Sequence, residues 1–80
     1  MRILHIEDRR ENRLLVRKLL ESHGMTVTDA VDGLAGLELA RSIKVDLVLV
    51  DINIPRLNGY EVVTRLKSEE RMQELSLIHI

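Results

Sequence analysis

Three carboxylates carry the strongest chemical signal in this chain. Glu7 and Asp8 directly follow the run Ile3-Leu4-His5-Ile6, and Asp51 directly follows Leu47-Val48-Leu49-Val50. Short, mostly apolar runs of this kind suit strands covered on both faces. In an open parallel sheet, ligands bind beyond the carboxyl ends of the strands. If the two strands are neighbours, Glu7, Asp8 and Asp51 share one crevice. Carboxylates at close range repel one another, and a hard divalent cation relieves that repulsion. Oxygen donors, no cysteine and three scattered histidines favour Mg²⁺ over zinc. The chemistry implied is metal-assisted phosphoryl transfer, which asks a protein chiefly for positioning and charge neutralisation. A carboxylate nucleophile would form an acyl phosphate.

The elements that must hold these acids alternate along the chain. After the first strand and a polar turn, residues 11–23 read as a helix, with Leu15, Leu19 and Leu20 inward and Arg13, Arg17 and Glu21 toward water. Gly24 is a C-terminal stop, and residues 25–28 alternate as a second strand. Asp32-Gly33 marks a turn, and residues 34–42 form a second helix with Leu34, Leu37 and Ala40 inward. The third strand ends at Asp51. A loop with the only proline, Pro55, then leads to a helix from Gly59 through Val62, Val63 and Leu66. Residues 75–80 make a last apolar strand. The order β-α-β-α-β-α-β with right-handed crossovers predicts an α/β fold, a doubly wound parallel sheet of strand order 2-1-3-4. Strands one and three then flank the topological switch point of a flavodoxin-like arrangement, where Asp8 and Asp51 fall.

Composition narrows the function classes. Eighty residues make at most one small domain, and an aliphatic core is expected from 45% hydrophobic residues with one Tyr and no Phe or Trp. A net charge of −1 gives no bulk electrostatic reason to bind nucleic acid or a membrane surface. The absence of cysteine excludes disulfides and thiolate metal sites. With no membrane-length apolar run and no leader-like start, the expected location is the cytoplasm. His5 reads as a packed core histidine, and His23 as a helix-end cation facing the dipole. Arg9 and Arg10 follow the acids directly, where Arg9 is a candidate for tuning their chemistry.

Ile6-Glu7-Asp8, Asp51-Ile52-Asn53-Ile54-Pro55 and Asn58-Gly59-Tyr60-Glu61 together resemble the receiver domain of two-component response regulators. The resemblance implies a phosphoprotein in which Asp51 accepts a phosphoryl group from a sensor histidine kinase or a histidine phosphotransfer protein. It implies Mg²⁺ held by Asp8 and Asp51, by the backbone carbonyl of Asn53, and by Glu7 through water. It implies a self-phosphorylating acceptor rather than an enzyme. Pro55 and Gly59 serve the loop rather than the chemistry.

By the same resemblance, the hydroxyl and lysine partners of the phosphoryl group lie beyond residue 80, so the chain reads as the N-terminal portion of a receiver, its sheet incomplete. Residues 75–80 also match one frame of a transposon sequencing adapter, which makes a non-native end an alternative to a native strand. The expectation for the isolated chain is marginal stability and self-association through the open edge of strand four. Two other functions compete: a phosphorylation-independent interaction module, or a fragment without function, and a Mg²⁺-dependent aspartyl phosphohydrolase. The last wants a second acid two positions after the nucleophile, where this chain has Asn53.

Overall fold

Ile3, Leu4 and Ile6 suit a strand that helices cover from both sides, and that strand becomes the centre of the sheet. In the computed structural model, which describes residues 1–50, 64 and 76–79, the strands are β1 (Arg2–Ile6), β2 (Thr26–Ala30), β3 (Leu47–Val50) and β4 (Ser76–His79). The helices are α1 (Arg10–Glu21) and α2 (Gly33–Ser42). All strand pairs are parallel and the order is β2-β1-β3-β4, as the sequence predicts. Ile6 pairs with Ala30 on one side and with Val50 on the other, so β1 ends level with both neighbours. The helix from Gly59 and the loop at Pro55 lie outside the described residues, except that Thr64 is helical.

Side chains alternate across a strand, and each face is closed differently. On one face Leu4, Ile6, Ala30, Val48 and Val50 meet Leu37 and Ala40 of α2 in a buried apolar cluster. Leu34, Ala35, Leu39 and Val45 border it. Each large side chain so buried contributes about 1.5–3 kcal/mol. Gly36 lets α2 sit directly on β1: a Cβ there would run into the Ile6 side chain. Asp32 is the N-cap of α2, its Oδ1 accepting the Ala35 N–H at 2.8 Å, so the expected turn is also a helix start.

The other face carries Ile3 and His5 of β1 and Val27 and Asp29 of β2, beneath α1. Here the structure corrects the inward face of α1. Arg13, Val16, Arg17 and Leu20 are half-buried, whereas Leu14, Leu15 and Leu19 are exposed. The stripe at 13, 16, 17 and 20 has true helical spacing. Its arginines lie inward because the sheet offers them acceptors, while their aliphatic stems cover apolar surface. Arg17 donates through Nε and Nη2 to Asp29 Oδ2, at 3.2 and 3.0 Å. This bonding to Asp29, with help from Glu21, holds the guanidinium charged even more firmly than usual. β2 runs on to Ala30 rather than stopping at residue 28: Asp29 and Ala30 pair with His5 and Ile6 of β1, and the Asp29 side chain has Arg17 as a partner. His5 is fully buried, with Nδ1 3.7 Å from Asp29 Oδ1.

α1 ends at Glu21, two residues short of the expected end, and the turn that follows closes at Gly24, whose φ of 82° suits glycine and whose N–H donates to the Glu21 carbonyl at 3.0 Å. His23 is exposed in that turn, its Nδ1 2.9 Å from the Leu19 carbonyl oxygen.

Candidate functional site

The acidic pair occupies the turn between β1 and α1, at the carboxyl end of an inner strand of the sheet. Glu7 is held on every side. Its N–H donates to the Ala30 carbonyl at 3.0 Å, extending the β1–β2 ladder one residue past Ile6. Its Oε1 accepts the Arg9 N–H at 3.1 Å, and its carbonyl accepts from Arg13 Nη1 at 3.0 Å. The side chain at Glu7 is 3% exposed. Asp8, by contrast, is exposed, and its carbonyl accepts from the same Arg13 Nη1 at 2.9 Å. One guanidinium nitrogen thus ties together the two residues that bear the acids.

Local sequence explains this arrangement. Arg9 is the N-cap of α1 but offers no side-chain cap, so the helix start is served by Glu7, whose carboxylate takes the Arg9 N–H and whose negative charge suits a helix N-terminus. Arg13 lies one turn into α1, and its N–H donates to the Arg9 carbonyl at 3.0 Å. From there its side chain reaches back over the turn. Arg9, the expected tuning residue, does lie beside the acids, through its backbone. The sequence places Arg13 on the solvent side of α1, and the signal for its inward place is the 13, 16, 17, 20 stripe.

Of the expected site residues, Glu7 and Asp8 lie just beyond the carboxyl end of β1. Asp51 and Asn53, and with them the expected convergence of Asp8 and Asp51, lie outside the described residues. Among the described residues no three His, Cys, Asp or Glu side chains gather at one point. His5 faces Asp29 inside the sheet, and His23 sits at the opposite end of α1 from the acids. Glu7 and Asp8 themselves offer oxygen donors at the end of β1.

A parallel sheet of order 2-1-3, wound with helices on both faces and carrying acids at the end of its central strand, defines a flavodoxin-like receiver fold. Residues 3–80 match the response regulator receiver domain, and the chain belongs to that family, the receivers of two-component signalling. It is 33% identical over 78 residues to the polar-differentiation response regulator DivK of Brucella anthropi, and 35% identical to DivK of Brucella ovis. The match takes in 98% of this chain and 63% of either relative, so the chain spans less than two thirds of their length. Its fold superposes on the receiver domain of sensor histidine kinase PA1611 from Pseudomonas aeruginosa, solved with a magnesium ion in the active site cleft. That likeness has a TM-score of 0.93 at 28% identity, over 98% of this chain and 64% of that one. The response regulator TrrA of Thermotoga maritima, solved with Mg²⁺ and BeF, superposes at 0.84 with 30% identity, over 88% of this chain and 61% of that one. Among the described residues, no helix is long and apolar enough to cross a membrane.

Proposed function

We propose that this chain is a cytoplasmic phosphoacceptor in which Asp51 takes a phosphoryl group from the phosphohistidine of a sensor kinase or phosphotransfer protein. The observation that carries the reading is the β1–β3 register. Ile6 pairs with Val50 in parallel, and the next residues in sequence are Glu7 and Asp51. Chain connectivity alone then favours one crevice for the acids. The Asp51 carboxylate attacks phosphorus, the P–N bond to the donor imidazole breaks, and an aspartyl phosphate forms. Asp8, Asp51 and the Asn53 carbonyl are the residues that would hold Mg²⁺, with Glu7 acting through water. When bound, the cation neutralises charge that builds on the phosphoryl oxygens. The carboxylates of Glu7 and Asp8 after the carboxyl end of β1 are donors of the type such a hard cation takes. Glu7 is buried and fixed through its backbone, whereas Asp8 is exposed and so open to a cation from solvent.

Incubation with radiolabelled acetyl phosphate and Mg²⁺ tests this. The expected result is a stable, hydroxylamine-sensitive label that is lost in Asp51→Asn. Continuous release of phosphate without label would instead indicate a phosphohydrolase, and neither label nor release would indicate a binding module.

A further inference from the structure

The acids at the end of β1 are tied down unequally. Glu7 has its N–H on Ala30, its carboxylate on the Arg9 N–H and its carbonyl on Arg13. Asp8, the exposed member, has one hydrogen bond to a described residue, from Arg13 Nη1 to its carbonyl. The same nitrogen serves both carbonyls, at 3.0 and 2.9 Å, so the relative placement of the two residues is set through one side chain. Arg13 reaches neither carboxylate, and its positive charge lies beside a place proposed to attract a cation. Charge alone would make Arg13 a hindrance there. Its contacts give it a different part: it fixes the backbone from which the ligating groups extend, as outer partners of metal ligands do.

We propose that Arg13 is a positioning residue for the Mg²⁺ site, holding Glu7 and Asp8 in place through their carbonyls. This rests on the reading of the site given above. Arg17, one turn along the same face of α1, is the internal control: it too anchors the helix to the sheet, but through Asp29, away from the acids. Position and charge have opposite signs at Arg13, which makes the test decisive. If position governs, Arg13→Gln weakens Mg²⁺ binding; if charge governs, it tightens it.

The experiment is Mg²⁺ titration by calorimetry of the chain and of its Arg13→Gln and Arg17→Gln variants, with a thermal melt of each in the absence of metal. The expected outcome is a roughly tenfold rise in Kd for Arg13→Gln, with Arg17→Gln unchanged in affinity even where it melts lower. Affinity in Arg13→Gln equal to or tighter than that of the parent overturns the proposal and leaves the metal site standing. No Mg²⁺ binding by the parent overturns the site and the proposal together. Should Arg13→Gln fail to fold, guanidinium N–H exchange in the parent decides. Arg13 is expected to be protected before and after Mg²⁺ is added, and exchange as fast as at exposed Arg9 and Arg10 overturns the role.

Discussion

On one face of the sheet, Leu4, Ile6, Val48 and Val50 close against Leu37 and Ala40 of α2. On the other, Ile3 and Val27 share the surface with His5 and Asp29, and α1 meets them with arginines. The first face is held by area removed from water, an interaction without direction that accepts any well-shaped apolar side chain. The second is held by named pairs whose distances and angles must be met, since an unpaired polar group there costs free energy. The directional face is also the one whose helix reaches the acidic turn, through Arg13. The contrast teaches that burial supplies most of the stability here, while hydrogen bonding on the α1 side fixes the backbone of the acidic turn.

Three substitutions sharpen or break that contrast. Leu37→Ala should have the largest effect, because Leu37 is 2% exposed at the centre of the apolar cluster. A loss of about 2–5 kcal/mol is expected in urea unfolding, and a loss below about 1 kcal/mol would mean that this face is not the main source of stability. Arg17→Ala comes next. Arg17 is 36% exposed and Asp29 20%, so solvent screens the pair. A loss of up to about 1 kcal/mol is expected, shrinking at high salt. A loss as large as that of Leu37→Ala would erase the distinction between the faces. Leu15→Gln should do least. At 68% exposure it packs on nothing that its loss would leave empty, and a change within about 0.5 kcal/mol is expected by the same unfolding curves.

Much of the fold was legible in the residues. The β1 and β3 strands could be read because four-residue apolar runs ending at acids have few other uses, and β1–α1–β2–α2–β3 followed from alternation with right-handed crossovers. Leu37 and Ala40 of α2 were read correctly, since their side of the helix is unambiguously apolar. The face of α1 was not. Leu14, Leu15, Val16, Leu19 and Leu20 spread around the helix, so hydrophobicity alone allows several orientations, and the one adopted is chosen by Asp29 and by two backbone carbonyls. Such acceptors are invisible until strands and turns are arranged in space. The strand end at Ala30 differs from the alternation at residues 25–28 because pairing with His5 and Ile6 of β1 carries the strand two residues further. Near the proposed site, the place of Glu7 and Asp8 after β1 was legible by type and position, and Arg13, which binds their backbone, was not, because a carbonyl contact leaves no pattern in side-chain spacing.

The central place of β1 also bears on how the chain reaches its native state. Arg2 pairs with Thr26 and Ile3 with Leu47, so the partners of this strand lie 24 and 44 positions downstream. Parallel pairing across such separations must close long loops before any contact rewards it, and it slows folding relative to local hairpins. During synthesis at about 5–20 residues per second, β1 is complete roughly one to several seconds before β2 can join it, and waits longer for β3. Throughout that interval Ile3, Leu4 and Ile6 lack the neighbouring strands that flank them in the finished sheet. The segment that ends up most protected in the finished sheet is therefore the one most in need of protection while the chain is being made.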